Sequence, residues 1–313
     1  MPIKVALQMD PVESINIDGD SSFVIGLEAI KRGHELYYYQ PKDMALDGAD
    51  VVANSYRLDL RREKGNHFSL SGQGIRNVGE MDVVLLRQDP PFDMSYITTT
   101  YLLDMIHPKT LVVNNPTEVR GNSEKLYVAR FPELMAPTLV SRNRQQISEF
   151  RAKHKDIILK PLYGNGGAGV FHVGPDDENM NALLDMMFAG NNEPIMVQAY
   201  LPDVRGGDKR IILIDGEPLG AINRIPPAGD ARANMHAGGK AVKSELSKRD
   251  MEICEAIGPD LKNRGLIFAG IDVIGGRLTE INVTSPTGLQ EIAKFDGRQI
   301  EADLWNAIEN HLK

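Results

Sequence analysis

The chain has 313 residues, of which 42% are hydrophobic and 25% charged, and its formal net charge is -8. That length carries two domains or three small ones with real cores, and the acidic balance excludes a protein held on nucleic acid by bulk charge. A single cysteine, Cys254, excludes an internal disulfide and a multi-cysteine metal site, which fits a cytoplasmic setting.

The first third alternates strand and helix. "IKVALQM" is a short apolar run that soon meets Asp10, so it reads as a first strand and not as a signal peptide. No apolar run is long enough to span a membrane. "SSFVIGLEAIKRGH" reads as a helix with a Ser cap, apolar Phe23, Ile25, Leu27 and Ile30, and Gly33 at its end. "ELYYYQP", "MDVVLLRQD" and "TLVVNNP" read as strands, and residues 96–107 as a helix. Strands separated by helices imply a parallel sheet, with ligands beyond the carboxyl ends of its strands. The loops there are "MDPVESINIDGDSS" and "RQDPPFD".

A second region begins near Asn122. "NSEKLYVARFPEL" is expected to form a capped helix. "TLVS" and "IILKPL" are expected strands around the helix "QQISEFRAKH". After "KPLYGNGGAGV" come the strand "GVFHV", the helix "NMNALLDMMFAG" and the strand "PIMVQAYL". The last region is strand-rich: "DKRIILIDG", "EPLGAINRIP", "LIFAGIDVIG" and "RLTEINV". Helices are expected over 250–264, with Cys254 as a buried structural thiol, and over 298–313. The stretch from Pro226 to Ser244 is long, Gly/Ala-rich and aperiodic, as functional loops often are.

Gly164-Asn165-Gly166-Gly167-Ala168-Gly169 spells G-x-G-x-x-G. A dinucleotide site needs a helix at the third glycine, because the pyrophosphate sits on its N-terminus. Here β-rich "VFHV" follows, so the loop reads as a hairpin tip whose backbone N–H groups can approach phosphates. Lys160, in an apolar strand beside the loop, needs an anionic partner. Glu280 and Asn282 are two apart on one strand and share a face, with Asp272 on the strand before. Oxygen ligands of this kind suit Mg²⁺. A two-residue turn would put Asp272 on the opposite face. A three-residue bulged loop, Gly275 to Arg277, would pair it with Glu280, and that loop is expected here. "RGGDKRIILIDG" adds Asp208, which could hold ribose hydroxyls, and Arg210, which could clamp an anion. Arg224, Arg232 and Asn234 complete a basic arc.

With "KPLYGNGGAGVF", "GDKRIILIDGEPLGAINRIP", "RANMHAGG", "GLIFAGIDVIGGRLTEINVTSPTG" and "RQDPPFD", the sequence resembles the prokaryotic glutathione synthetases of the ATP-grasp superfamily. The likeness runs through nearly the whole chain and is weakest between Asp43 and Glu80. It implies an α/β (α+β) ATP-grasp fold with an N-terminal parallel-sheet domain, 1–122, and an ATP-grasp domain, 123–313. The latter would divide into a small subdomain with the Gly-rich loop, 123–197, and a large one with the metal site, 198–313. It implies ligation of γ-glutamylcysteine and glycine with ATP and Mg²⁺ or Mn²⁺, through an acyl phosphate. It further implies a cytoplasmic homotetramer with neither nucleic acid nor membrane as partner.

By the same resemblance, Lys125 and Lys160 contact the nucleotide phosphates under Gly164, Gly166 and Gly167. Gln198, Ala199, Tyr200 and Leu201 form the adenine hinge, and Asp208 meets the ribose. Asp272, Glu280 and Asn282 hold the metal. Arg210, Arg224, Arg232 and Asn234 act on the reacting groups, and Arg210, Arg232, Ser285, Thr287 and Gly288 face the peptide substrate. Residues 226–240 match a mobile loop. Tyr163 stands where the family has a smaller or acidic residue. The competing readings are another ATP-grasp ligase, of glutamate or D-alanine type, and a non-catalytic ATP-binding regulatory protein. A nicotinamide dehydrogenase is a third, weakened by the missing helix.

Overall fold

The computed structural model describes residues 2–190, 192–229, 232–235 and 238–313. Three sheets form among them. The first contains β1 (Lys4–Gln8), β2 (Glu35–Tyr39), β3 (Met44–Asp47), β4 (Asp50–Leu60), β5 (Phe68–Asn77), β6 (Val83–Leu86) and β7 (Leu111–Val113). The four strands read from the sequence are neighbours in the order β2-β1-β6-β7, all parallel. The sequence reading missed β3, β4 and β5, which extend this sheet as an antiparallel meander. In β4 the buried residues nearly alternate, a period-2 signal that was there to be read. In β5, "FSLSGQGIRN", every residue keeps some exposure and no period exists.

Helix α1 (Ser21–Lys31) follows β1, and its cap is Asp20, not the expected Ser. The Asp20 carboxylate accepts the Phe23 N–H at 2.7 Å, a geometry a carboxylate one residue earlier achieves equally well. Helix α2 (Met94–Asp104) is capped by Asp93 and ends three residues before the expected His107, and α3 (Pro116–Gly121) went unread.

The second sheet holds β8 (Thr138–Ser141), β9 (Ile157–Pro161), β10 (Phe171–Val173) and β11 (Ile195–Ala199) in the order β10-β9-β11-β8, backed by α4 (Arg144–His154) and α5 (Met180–Phe188). Ile147, Ile157, Leu159, Val173, Leu184 and Val197 form a core of their own there. The third sheet runs β14-β13-β12-β15-β16, with β12 (Asp208–Ile214), β13 (Glu217–Ile225), β14 (Lys240–Ser244), β15 (Phe268–Ile274) and β16 (Arg277–Asn282). Its core is continuous with that of the first sheet: Ala6 and Val84 belong to one apolar cluster with Ile271 and Ile281. The small central unit therefore stands apart from a larger body built by both ends of the chain.

Helices α6 (Lys248–Asn263), α7 (Leu289–Asp296) and α8 (Ile300–His311) complete the large unit. A capping box between Ser247 and Asp250 starts α6 two residues earlier than expected. Neither α7 nor β14 was read. β14 pairs with β13 through Ile225↔Lys240, so the long loop is shorter than expected and spans 226–239. Of that loop, Asp230, Ala231, His236 and Ala237 lie outside the described residues.

The helix expected over "NSEKLYVARFPEL" does not form. Only a 3-10 turn, Tyr127–Arg130, appears. The backbone there serves the edge of β16 instead: Ile281 N–H donates to the Glu124 carbonyl at 3.0 Å, and Leu278 N–H to that of Leu134 at 2.9 Å. Tertiary pairing thus overrides local propensity.

Candidate active site

A cleft of about 930 Å³ opens between the second and third sheets and reaches the carboxyl ends of β1 and β6. Its floor is set by the hairpin of β15 and β16. The turn has two residues, Gly275 and Gly276, both at positive φ, so the expected three-residue bulged loop is corrected. The bulge lies farther on, at Thr279, whose Oγ1 donates to the Asp272 carbonyl at 3.1 Å. That one extra residue shifts the register so that Asp272 pairs with Glu280 and Gly270 with Asn282. The three oxygen-bearing side chains thereby share a face, by a different device from the expected one.

Asp272 is 1% exposed and does not line the cleft, whereas Glu280 and Asn282 do. Arg210 clamps it with two bonds, Nε to Oδ1 at 2.6 Å and Nη2 to Oδ2 at 2.9 Å. Arg224 Nη2 lies 2.9 Å from Oδ1. Burial opposes the charge, but Arg210 and Arg224 outweigh it and hold the carboxyl below the ordinary carboxylate range. Arg224 Nη2 also donates to Asp208 Oδ2 at 2.6 Å, while Asp208 Oδ1 is buried without a hydrogen-bond partner among the described residues. Burial, helped by Asp272 and resisted by Arg224, pushes Asp208 up to about 7. Arg210 and Arg224 are thus fixed in place by carboxylates behind them.

On the opposite wall, Lys160 of β9 is 6% exposed and meets Gln198 Oε1 at 3.3 Å. No ion pair engages it among the described residues, and burial lowers its affinity for a proton. An anion in the cleft would reverse that. Lys125 donates to the Gly164 carbonyl at 2.6 Å, which ties down the Gly-rich loop, and it contacts Glu124 and, at 3.5 Å, Glu280 Oε1. Burial works against its charge, but Glu280 and Glu124 outweigh burial and raise it. Gly164, Gly166 and Gly167 line the cleft. Gly167 has φ +81°, and a Cβ there would meet Asn234 Oδ1 at 3.1 Å and Arg232 Cδ at 3.2 Å, so this loop and the long loop touch over the cleft.

At the hinge, Ala199 N–H donates to the Pro137 carbonyl and Tyr200 N–H to that of Asp156. These two N–H groups are therefore already occupied. Ser285 and Thr287 line the cleft, although the Ser285 hydroxyl is spent on the Gln88 carbonyl at 2.6 Å. Gly288 does not line it; at φ +121° it precedes α7.

Sequence reasoning did not single out Glu124, Arg87 or Glu291, which line the cleft. Glu124 lies beside Glu280; burial first, then the Glu280 charge, pushes it up to about 7. Arg87, within the quoted "RQDPPFD", is 5% exposed and, among the described residues, bonds to neutral groups alone, Ser22 Oγ at 3.0 Å and the Pro286 carbonyl at 3.1 Å. Glu291 on α7 has a buried Oε2 with no partner among the described residues, and burial pushes its carboxyl up. An acidic residue in a short amphipathic stretch, "LQEIAKFD", gave no signal. Arg87 beside Pro90-Pro91 at a strand's carboxyl end was the readable one.

Glu280 and Asn282 offer a carboxylate and an amide oxygen to the cleft, donors suited to a hard divalent cation, while Asp272, expected as a third ligand, is held behind them by its two guanidinium partners. The crowding of Glu124 and Glu280 is a conflict that a cation would relieve. Among the described residues, no three His, Cys, Asp or Glu side chains cluster as a metal cage. Phosphate oxygens and water would have to complete the coordination.

A stability test follows from Glu124. Its folded value lies above its ordinary value of 4.5, so its contribution is full below about 4.5 and is lost as pH rises through about 7. Metal-free protein should lose thermal stability across that window, and Glu124→Gln should flatten the slope. Parallel melting curves for the two proteins from pH 4.5 to pH 7 would remove this reading.

No helix is long and apolar enough to cross a membrane among the described residues. Residues 3–120 match the family described as prokaryotic glutathione synthetase, N-terminal domain, and residues 124–297 the prokaryotic glutathione synthetase ATP-grasp domain. The chain is 56% identical over 309 residues to a glutathione synthetase of Brucella melitensis, covering 99% of both chains. It is 53% identical over 313 residues to a glutathione synthetase of Mesorhizobium japonicum, covering 100% of both. Among solved structures it resembles D-cycloserine synthetase DcsG, with a TM-score of 0.71 and 15% identity over 99% of this chain and 100% of that one, a likeness of fold alone.

Proposed function

Because the chain belongs to the prokaryotic glutathione synthetase family, whose members are ATP-dependent ligases, we infer that its cleft joins γ-glutamylcysteine to glycine, yielding glutathione, ADP and phosphate. The observation that carries this reading is the pairing of preset arginines, Arg210 and Arg224, with the buried Lys160, which has no ion-pair partner among the described residues, across one cleft.

A carboxylate is a poor acylating agent in water. In this reading its oxygen attacks the γ-phosphorus of ATP, ADP leaves, and an acyl phosphate results. The glycine amine then attacks the acyl carbon and expels phosphate. The protein supplies position and charge rather than a nucleophile. Lys125, Lys160 and the N–H groups of the Gly-rich loop hold the phosphates. Arg210 and Arg224 need no reorganisation as charge develops, since Asp272 and Asp208 already orient them. Arg232 and Asn234 close from the long loop and keep water from the acyl phosphate. Asp208 faces the ribose, and Ser285, Thr287 and Gly288 shape the peptide end. Glu280 and Asn282, with Asp272 behind them, would hold Mg²⁺, or Mn²⁺ in its place. When bound, the metal neutralises phosphate charge. A cytoplasmic homotetramer belongs to the same reading, and sedimentation of the purified chain tests the tetramer.

The ends of γ-glutamylcysteine also find partners. Its α-carboxylate suits Arg87, which has no acidic bonding partner among the described residues, and its α-ammonium suits Glu291, whose Oε2 is buried without a partner among them. A hydrogen bond to a charged group contributes about 1.5–3 kcal/mol, so Arg87→Ala should raise KM for γ-glutamylcysteine about 10–100-fold and leave KM for ATP nearly unchanged. An equal rise in both constants would remove Arg87 from the substrate site.

The function itself is tested by ADP release across acceptors. Release should require γ-glutamylcysteine and glycine together. Release with glutamate or D-alanine instead would mark another ligase, and no acceptor-dependent release would mark a regulatory protein.

A further inference from the structure

We propose that Tyr163 is a positioning residue that fastens the base of the Gly-rich loop to the N-terminal domain by stacking on Phe92. The proposal rests on the ATP-dependent reading of the cleft. The two rings lie 6.3 Å apart and 24° from parallel. Phe92 comes from "RQDPPFD", the loop beyond β6, and is itself anchored: its ring meets Tyr96 at 5.3 Å, and it packs on the main core. Tyr163 precedes Gly164, the residue whose carbonyl Lys125 holds at 2.6 Å. It is 38% exposed although large and aromatic, so the position is not explained by burial within its own subdomain.

The central unit has a separate core, so its attachment to the larger body rests on such surface contacts. The loop carrying Phe92 begins at Arg87 and Gln88, which line or support the substrate end of the cleft. The stack therefore ties the loop over the phosphates to the loop under the acyl substrate.

Ring pairs at this spacing shift an equilibrium about two- to tenfold. The test uses the full-length protein with Tyr163→Phe, Tyr163→Leu, Phe92→Leu and the double variant. Two quantities are read: ATP affinity by calorimetry without acceptor, and ADP released per peptide formed. Thermal denaturation keeps variants that merely misfold out of the comparison. Tyr163→Phe should match wild type, because the stack needs no hydroxyl. Each Leu variant should bind ATP about two- to tenfold more weakly and release more ADP without product. The double variant should be no worse than the worse single one. Additive losses, or an unchanged Tyr163→Leu, would overturn the proposal. Calorimetry needs no acceptor, so the cycle decides the stack even if the acceptor assignment fails.

Discussion

Replacing Arg224 by alanine should lower kcat about 10²–10³-fold, with a much smaller rise in KM for ATP. The reason is that Arg224 is set before substrate arrives. Its Nη2 is held 2.6 Å from Asp208 and 2.9 Å from Asp272, and its charge is raised: burial opposes it, but those two carboxylates outweigh burial. A donor fixed in this way stabilises developing charge without reorganising. The same contacts give the alanine variant a second cost. It leaves Asp208 buried and unpaired, and breaking a buried pair costs about 3–5 kcal/mol. Arg224→Lys separates the effects, since it restores charge but not the planar fork. It should recover most of the melting temperature and little of kcat. If the lysine variant regains both together, Arg224 acts through the fold and not on the reaction.

The second large effect concerns Glu280. It shares a strand face with Asn282 and pairs across the bulged hairpin with Asp272, yet Asp272 is occupied by Arg210 and Arg224 while Glu280 opens on the cleft. Glu280→Gln keeps the shape and removes one negative charge. Turnover should fall more than about tenfold at limiting Mg²⁺ and recover in part when Mg²⁺ is in excess. Asp272→Asn should differ in kind. It removes the countercharge of two buried guanidinium groups, so its loss should appear first in thermal stability, where excess Mg²⁺ brings no rescue. Superimposable activity curves against Mg²⁺ for wild type and Glu280→Gln would take Glu280 out of the metal site.

Much of this was legible because chemistry and period coincided. Strands such as "IILKPL" and "LIFAGIDVIG" are apolar runs between turn residues, and of the polar exceptions in them Lys160 lines the cleft and Asp272 lies behind it, holding Arg210 and Arg224. What failed was structure set by partners distant in sequence. The segment around Lys125 has a helical pattern but gives its backbone to β16. The bulge at Thr279 is invisible locally, since threonine suits a strand equally well. Lys240 to Ser244 reads as loop because its partner, β13, lies fifteen residues upstream, across glycines. The ionic arrangement was least legible. That Arg210 and Arg224 converge on Asp272 follows from β12 lying between β13 and β15, a neighbour relation that no single stretch encodes.

The central claim is that a carboxylate is activated as an acyl phosphate before the amine attacks. It is tested most directly with γ-glutamylcysteine carrying ¹⁸O in the cysteine carboxylate. With glycine, ATP and Mg²⁺ present, the phosphate released should carry one ¹⁸O, because the bridging oxygen of the acyl phosphate leaves with phosphorus. Phosphate free of ¹⁸O, alongside ADP formation, would mean that water and not the carboxylate attacks ATP, and would contradict the account.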